Sequence, residues 1–274
     1  MHKTSSKSLI HGLYRHVMNS VITEQDEHEL KRPAVVFSPH PDDETLGCGG
    51  TIIRKKKAGA DVHIVFMTNG SQSHRQFISE SALKSIRRRE AIEATRMLGV
   101  GQDNITFLEF DDKKLWENRT IAINKVIDIL LHHKPDKVFI PYYRETPPDH
   151  WATNKIVAAA LQKIRKETMI YEYPIWFWNH WPWVTVPMSF RLKTIRTLRS
   201  IPFANVRLLL DFRSSVDIED ILEVKRAALH EYKSQMTRLI PDKKWPTLND
   251  VSQGKFLNCF FQPREIFYRY CIRG

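Results

Sequence analysis

Short apolar runs alternate with amphipathic stretches from Ala34 to Tyr173, and this alternation constrains the fold more than any other feature of the chain. The apolar runs have the length of strands, and the stretches between them have the length and periodicity of helices. The predicted strands are 34–38, 62–68, 105–110, 137–141 and 169–173, and the predicted helices are 44–58, 79–98, 121–133 and 151–164. Strands joined by such helices form parallel β-α-β units, so we predict a Rossmann-like, mostly parallel sheet flanked by helices. A sheet of this kind binds its ligand at the carboxyl ends of its strands.

The part of the chain after the last of these strands is less regular and is predicted to extend the same domain. We place the α/β core at 33–173 and an extension at 174–274, because no linker is long enough to separate two independent domains. The extension is predicted to contain a helix over 217–233, with Asp217 as its N-cap, and a terminal strand over 264–270. The predicted fold class is therefore α/β with a C-terminal helix and a β extension.

The composition excludes several classes of protein. Hydrophobic residues make up 42% of the 274 residues, which excludes a disordered chain. Three cysteines without a CxxC spacing argue against a disulfide framework and against a thiolate metal site. No apolar run approaches the roughly 18 residues that a membrane-spanning helix needs, and the N-terminal residues do not have the pattern of a secretory signal. We therefore predict a cytoplasmic protein.

The charge of the chain is concentrated in one region. The sequence has 42 Lys+Arg and 31 Asp+Glu, a formal charge of +11, which indicates an anionic partner. Residues 173–210 contain five basic and no acidic residues, together with four of the seven tryptophans: Trp176, Trp178, Trp181 and Trp183. Tryptophan suits sugar rings, and tryptophan with arginine and lysine also suits a bilayer interface. We therefore expect a lipid-linked or polymeric anionic glycan as substrate, and a peripheral contact with the inner face of an anionic membrane.

One loop concentrates acidic side chains directly after the first predicted strand. The segment Ser38-Pro-His-Pro-Asp-Asp-Glu44 holds three carboxylates and an imidazole, which are costly to place together without a cation. An exposed turn that begins a helix would explain one or two of the acids. It would not explain why two prolines stiffen the loop around His40. A metal site explains both features, with His40 and Asp43 aimed at one ion.

A third metal ligand is expected from another strand end. His150 lies shortly after the fourth strand, at the start of the next predicted helix. His40, Asp43 and His150 would form a two-histidine, one-carboxylate set, which suits catalytic zinc and also suits ferrous iron or another divalent metal. The ion would acidify a bound water as the nucleophile, and Asp42 is the natural general base for that water.

Further motifs occur in a fixed order along the chain. They are Pro39-His-Pro-Asp-Asp-Glu44, Thr68-Asn-Gly70, a helix pattern with Arg87, Glu90, Ala94, Leu98 and Gly99, then Pro148-Asp-His150, and finally Lys225, Ala228, Leu229, Ser234 and Gln235. This ordered set resembles that of the PIG-L-like (LmbE-like) metal-dependent N-deacetylases, which remove acetyl groups from N-acetylglucosamine units in glycolipids, small-molecule thiols and antibiotics. The resemblance implies a zinc-dependent deacetylase that releases acetate from an N-acetylated amino sugar or glycoconjugate.

The resemblance also implies roles for single residues, carried over by matching position. It implies the same metal ligands and the same general base as the reasoning above. It implies contact of Arg87 with sugar hydroxyls or a phosphate, and Asp149 in support of the histidine element. The match of Glu172-Tyr-Pro-Ile-Trp176 to the family favours a packed loop over the sheet. From the aromatic residues themselves, we expect Trp176 and Trp178 to contact the sugar.

Two positions depart from the family pattern. Pro147 stands where the family has a histidine that assists the tetrahedral intermediate or the leaving amine, and Tyr232 stands where its late motif has a histidine. An amide hydrolase needs an oxyanion stabiliser and a proton for the amine. The metal and Asp42 could supply both, and the sequence does not select among four further candidates: His74, Tyr142, Tyr143 and His180.

Two functions of other classes stay open on the sequence alone. The histidine missing at Pro147 is compatible with a catalytically weakened or inactive relative that binds a glycan or a membrane surface. The charge alone is compatible with a nucleic-acid-binding α/β protein, although the basic runs 54–57 and 87–89 lack the interleaved aromatic residues of a specific site. The glycines within 47–50 are assigned to helix–sheet packing, because the preceding carboxylates would repel a dinucleotide pyrophosphate. Nothing in the sequence indicates the oligomeric state.

Overall fold

The computed structural model describes residues 22–179, 207, 209–241 and 244–273. Within these residues, eight strands form one sheet in the order β1-β7-β8-β6-β5-β2-β3-β4. The strands are β1 (Thr23–Glu24), β2 (Ala34–Ser38), β3 (Val62–Thr68), β4 (Ile105–Phe110), β5 (Lys137–Pro141), β6 (Thr168–Tyr173), β7 (Phe212–Asp217) and β8 (Arg264–Ile272). The five strands predicted for the core are confirmed, and so is the terminal strand.

Helices connect the strands and cover the sheet. They are α1 (Glu27–Lys31), α2 (Asp43–Lys57), α3 (Glu80–Met97), α4 (Arg119–His133), α5 (Pro148–Ile164), α6 (Leu222–His230), α7 (Lys233–Met236) and α8 (Lys255–Asn258), with short 3-10 turns at 102–104, 176–178, 219–221 and 248–254. The four helices predicted for the core are confirmed within three residues at each end. No helix among the described residues is both long and apolar enough to cross a lipid bilayer.

The strand order places the switch point of the sheet between β2 and β5. β2 pairs in parallel with both β3 and β5, and the chain continues from β3 to β4 on one side and from β5 to β6 on the other. The loops that follow β2 and β5 therefore leave the same edge of the sheet and diverge there. In open parallel sheets this crevice is where ligands bind.

Side chains alternate between two packed layers. In β2, Val36 belongs to one buried cluster, while Val35 and Phe37 belong to the other on the opposite face of the sheet. This alternation follows from the two-residue period of a strand. Because both faces are covered, the central strands are mostly apolar, as the sequence pattern predicted.

The C-terminal extension completes the sheet. β8 runs antiparallel between β6 and β7, and β1 pairs in parallel with β7 on the far side. The predicted helix over 217–233 is wrong at both ends. Asp217 is the last residue of β7, where it pairs with Arg264, and its side chain accepts a hydrogen bond from the backbone N–H of Glu219 at 3.0 Å. A 3-10 turn over Glu219–Ile221 follows, and the α-helix begins only at Leu222 and ends at His230.

The glycines after the acidic loop allow α2 to lie directly on its neighbours. A Cβ at Gly47 would overlap the Tyr173 ring, and a Cβ at Gly50 would stand 2.5 Å from Ile218. Cys48, between them, is fully buried in the core. Close packing of α2 therefore explains these glycines, with Gly47 against β6 and Gly50 against the residue that follows β7.

Candidate metal centre

The acidic loop after β2 is held by hydrogen bonds from two strands. The Ser38 hydroxyl donates to the carbonyl of His40 at 2.6 Å. The backbone N–H and the hydroxyl of Thr68, at the end of β3, donate to the carbonyl of Pro39 at 3.0 and 2.8 Å. With two prolines in the loop, these bonds fix where His40 stands.

Glu44, the third carboxylate of the loop, is a structural residue. It is fully buried and accepts hydrogen bonds from the backbone N–H of Asp42 at 3.1 Å and from the Tyr232 hydroxyl at 2.6 Å. Burial raises the pKa of the Glu44 carboxyl, although these donors act in the opposite direction. Tyr232, one of the two departures from the family motif, therefore stabilises the loop through its hydrogen bond to Glu44.

His40, Asp43 and His150 converge as the sequence predicts. Asp43 Oδ2 lies 3.2 Å from His40 Nδ1 and 3.2 Å from His150 Nε2. One ligand atom from each of the three residues can be chosen so that all lie within 4.8 Å of one another. Pro148 starts α5 three residues earlier than predicted, because its fixed φ suits the first helical turn, and this brings His150 into that turn.

The donor set fits a divalent metal ion. Neither ring nitrogen of His150 has an aligned hydrogen-bond partner among the described residues, although the side chain is buried. Burial would raise the pKa of Asp43, but His150 and His40 outweigh it and lower that pKa, so the carboxylate is ionised. Two imidazoles and one carboxylate match the ligand types of zinc and ferrous iron.

Asp42 lies beside this set with an unusual backbone. Its φ is 128°, and its side chain is buried. Burial raises the pKa of Asp42 to about 8, while the guanidinium of Arg87 acts to lower it. The Asp42 carboxyl thus lies buried beside the candidate ligands, with the Arg87 guanidinium as its charged partner at 3.1 Å.

Arg87 reaches the loop from the middle of α3. Its Nη2 donates to Asp42 Oδ2 at 3.1 Å and to the carbonyl of Pro41, and its Nη1 donates to the carbonyl of Gly70 at 3.3 Å. The residue is only 3% exposed. These contacts make Arg87 a brace for Asp42, and contact with the substrate stays a prediction.

Asp149 supports His40 from the neighbouring strand end. Its Oδ2 lies 3.2 Å from His40 Nε2 and accepts a hydrogen bond from the backbone N–H of Lys113 at 2.7 Å. Burial would raise the pKa of Asp149, but the hydrogen bond and charge of His40, together with the Lys113 N–H and His150, outweigh burial and lower that pKa. Asp149 therefore links the loop after β4 to the metal centre.

Sequence reasoning missed Glu145, which is buried on the other side of His150. Its Oε2 lies 3.7 Å from His150 Nδ1, and its carboxylate accepts three backbone N–H groups of the segment after β6. Burial raises the pKa of Glu145, and His150 acts to lower it. The signal available in the sequence was an acidic residue, Glu145, five positions before the predicted ligand His150 in the segment that follows β5.

The predicted aromatic contacts are largely packed. Trp178 is 7% exposed and lies against Phe177, while Trp176 is half-buried and stacks on Phe256 with ring centroids 5.0 Å apart. Contact of these two tryptophans with the substrate stays a prediction. Trp181, Trp183, His180 and the basic segment 191–199 lie outside the described residues.

The other candidate proton donors are already hydrogen-bonded. Both ring nitrogens of His74 are engaged, by the Ser73 hydroxyl at 2.9 Å and by the carbonyl of Pro246 at 2.8 Å. The Tyr142 hydroxyl donates to Asp211 at 2.5 Å, and the Tyr143 hydroxyl accepts from Arg207 at 3.2 Å. His74 and the Tyr142 hydroxyl therefore already use their protons within the fold, whereas the Tyr143 hydroxyl is the acceptor in its contact with Arg207.

Comparison with known proteins places this centre in a family context. Residues 35–161, which include all three candidate ligands together with Asp42, Arg87, Glu145 and Asp149, match the model of the PIG-L family, described as GlcNAc-PI de-N-acetylase. The probable N-acetyl-alpha-D-glucosaminyl L-malate deacetylase 2 of Bacillus cereus is 29% identical over 145 residues, which cover 50% of this chain and 64% of that protein.

Two further relatives match over more of the chain. The 1D-myo-inositol 2-acetamido-2-deoxy-alpha-D-glucopyranoside deacetylase of Rhodococcus jostii is 26% identical over 275 aligned positions, covering 81% of this chain and 88% of the relative. The structure of N,N'-diacetylchitobiose deacetylase from Pyrococcus horikoshii superposes with a TM-score of 0.64 and 22% identity, covering 98% of this chain and 94% of the other. That likeness supports the fold.

Proposed function

Residues 35–161 match the model of the PIG-L family, and on that premise we propose that this protein is a metal-dependent amide hydrolase. It would remove the N-acetyl group from an amino sugar or glycoconjugate and release acetate. The observation that carries the proposal is the convergence of His40, Asp43 and His150 at the switch point of the sheet, with the Asp42 carboxyl beside them.

The three ligands would hold one divalent ion at the edge of the sheet. When bound there, the ion supplies Lewis acidity, which polarises an amide carbonyl and makes water a stronger acid. His40 and His150 contribute neutral donors, and Asp43 contributes the negative charge. The zinc identity of the ion is part of the proposal, and ferrous iron suits the same set.

Asp42 would move the protons of the reaction. Its carboxylate takes a proton from the attacking water and then returns that proton to the departing amine, so one residue serves both transfers. Arg87 keeps this carboxylate in place and favours its ionised form. The same residue can therefore serve although Pro147 replaces the histidine of the family motif.

The substrate contacts form a finer part of the proposal. The indole of Trp116 is 39% exposed and packs on Trp151, which directly follows the ligand His150, with ring centroids 4.6 Å apart. An exposed indole at this edge is suited to the face of a sugar ring, alongside the predicted contacts of Arg87, Trp176 and Trp178. A lipid-linked substrate and a peripheral contact with anionic membrane rest on the tryptophan-rich sequence alone.

Metal content and turnover of three variants test the assigned roles. His40→Ala and His150→Ala each remove a ligand, so both should lose bound metal and activity together. Asp42→Asn keeps the shape of the side chain but removes the base, so it should retain metal while turnover falls by about 10²–10⁴-fold. Elemental analysis and acetate release measure the two quantities.

The same two measurements on the wild-type protein separate an active enzyme from an inactive relative. Equal metal content in all three variants would contradict the ligand assignment. Wild-type protein that binds metal but hydrolyses no N-acetylglucosaminyl substrate would favour the glycan-binding alternative, for which Pro147 is the specific observation.

A further inference from the structure

Glu145 occupies a position from which it can act on the metal centre without touching the ion. It follows β5 and is buried, and its Oε2 lies 3.7 Å from His150 Nδ1. On the opposite side of the same ring, His150 Nε2 faces Asp43 Oδ2 at 3.2 Å. The imidazole of His150 thus lies between two buried carboxylates, one a metal ligand and one not.

This arrangement has a consequence for the orientation of the ring. A histidine that binds a metal through one nitrogen carries its proton on the other, and a carboxylate near that proton fixes the tautomer and the ring angle. Among the described residues, His150 Nδ1 has no aligned hydrogen-bond partner. Glu145 Oε2, 3.7 Å away, is the carboxylate oxygen that faces this nitrogen and would accept a hydrogen bond from its N–H at a shorter distance.

Three backbone amides hold the Glu145 carboxylate in place. Oε1 accepts from the N–H groups of Ile175 and Phe177 at 2.9 and 3.1 Å, and Oε2 accepts from the N–H of Trp176 at 2.7 Å. The segment after β6 is therefore tied to the loop after β5 through this one side chain. A carboxylate fixed by three amides can in turn fix an imidazole.

We propose that Glu145 is a positioning residue for the metal ligand His150 and couples its orientation to the segment Ile175–Phe177. The inference rests on the metal site of the proposed function and deepens it. In this arrangement, Glu145 holds His150 with Nε2 directed at the ion, and the packed Trp176 serves to keep the carboxylate in place.

Cobalt binding to Glu145→Gln tests this role without measuring activity. Co²⁺ is added to the metal-free full-length protein, and its affinity and visible absorption spectrum are recorded. The glutamine side chain has an NH₂ group in place of one carboxylate oxygen, so it cannot accept hydrogen bonds from all three backbone N–H groups and from His150. We expect the Co²⁺ dissociation constant to rise by about 10- to 100-fold, with an altered spectrum.

Glu172→Gln is the matched control. Glu172 is also buried at the end of a neighbouring strand and accepts from the Tyr143 N–H, the Asn154 side chain and the Tyr270 hydroxyl at 2.8 to 3.0 Å. It makes no described contact with His150. We expect this variant to keep the wild-type cobalt affinity and spectrum, even where it lowers the unfolding temperature.

Each outcome bears on a different claim. Wild-type protein that binds no metal would overturn the proposed function itself. Wild-type binding with equal affinity and spectrum in Glu145→Gln, or an equal loss in Glu172→Gln, would overturn the positioning role. If Glu145→Gln does not fold, Glu145→Asp restores the charge on a shorter side chain. A folded Glu145→Asp that binds Co²⁺ as tightly and with the same spectrum as wild type would then overturn it, and a weakened, altered site would support it.

Discussion

Asp42 shows how a strained backbone is maintained at the centre of the site. Its φ of 128° belongs to a region that non-glycine residues rarely occupy, at a cost of about 1–3 kcal/mol. The compensating contacts are the Glu44 carboxylate on its backbone N–H and the Arg87 guanidinium on its side chain. These two buried side chains hold the Asp42 carboxyl beside the metal ligands.

His63, which lies far from that site, makes the stability of the protein depend on pH. It is buried in β3, stacks on His133 with ring centroids 3.8 Å apart, and has His132 and Asp61 as its other titratable neighbours. Burial, reinforced by His133, lowers the pKa of His63 to about 4. An unfolded histidine has a pKa near 6.5, so stability is full above about pH 6.5 and is lost as the pH falls toward 4.

Urea unfolding of His63→Gln between pH 7 and pH 4 measures this loss. The wild-type free energy of unfolding should fall by roughly 3 kcal/mol more than that of the variant over this interval, because each pKa unit corresponds to about 1.4 kcal/mol. His28→Gln is the control, since His28 is 85% exposed. Parallel pH curves for wild type and His63→Gln would contradict the prediction.

The convergence of the candidate ligands and the support from Asp149 could be predicted from the sequence, whereas the contacts of Glu145 and Arg87 could not. His40 and Asp43 are three residues apart in a proline-stiffened loop, and His150 follows a strand that the alternation places at the same edge. Glu145 looked like an ordinary loop residue, because its partners at 175–177 lie about 30 positions away. Arg87 was singled out, but its contact with Asp42 depends on how α3 packs.

At the scale of elements, α2 is interrupted in its middle. Cys48 has φ −147°, which breaks the helix and frees the carbonyl of Leu46 and the N–H groups of Gly50 and Thr51 from their usual partners. The Lys225 ammonium donates to that carbonyl at 2.9 Å, and the Glu265 carboxylate accepts from both amides at 2.8 and 2.7 Å. The interruption is thus stabilised by one buried ion pair.

Glu265→Gln tests this account of the helix. Lys225 and Glu265 are 2.7 Å apart and both buried, so removing one charge leaves the other uncompensated, and we expect a loss of about 3–5 kcal/mol in the free energy of unfolding. Glu24→Gln is the control, because the Arg264–Glu24 pair is partly exposed and should contribute less than about 1 kcal/mol. Equal losses in urea unfolding would contradict the prediction.

The elements that sequence patterns did not predict depend on distant pairing. β1 has only two residues, and the polar sequence of β7 (Phe-Arg-Ser-Ser-Val-Asp) lacks the apolar run of a central strand. Both exist because β8 returns to the sheet and offers β7 an antiparallel edge. The same pairing ends β7 at Asp217 and prevents the helix predicted to start there.

At the scale of the whole molecule, the topology explains where the chemistry is placed. The strand order diverges between β2 and β5, and each of these strands delivers ligands from the loop or helix that follows it. The later segments close around that edge, with Trp245 stacked on His74 at 4.2 Å and Trp176 stacked on Phe256. The candidate metal centre is therefore surrounded by parts of the chain from both halves.

The central claim is that this centre hydrolyses an N-acetyl amide with the help of a metal ion. Acetate and free amine are measured together for N-acetylglucosamine and diacetylchitobiose, with protein stripped by a chelator and then reloaded with Zn²⁺, Fe²⁺ or Co²⁺. We expect equal amounts of acetate and amine from reloaded protein, and none from stripped protein or from His150→Ala. Acetate release that is unchanged by stripping, or its absence with every ion despite stoichiometric metal binding, would contradict it.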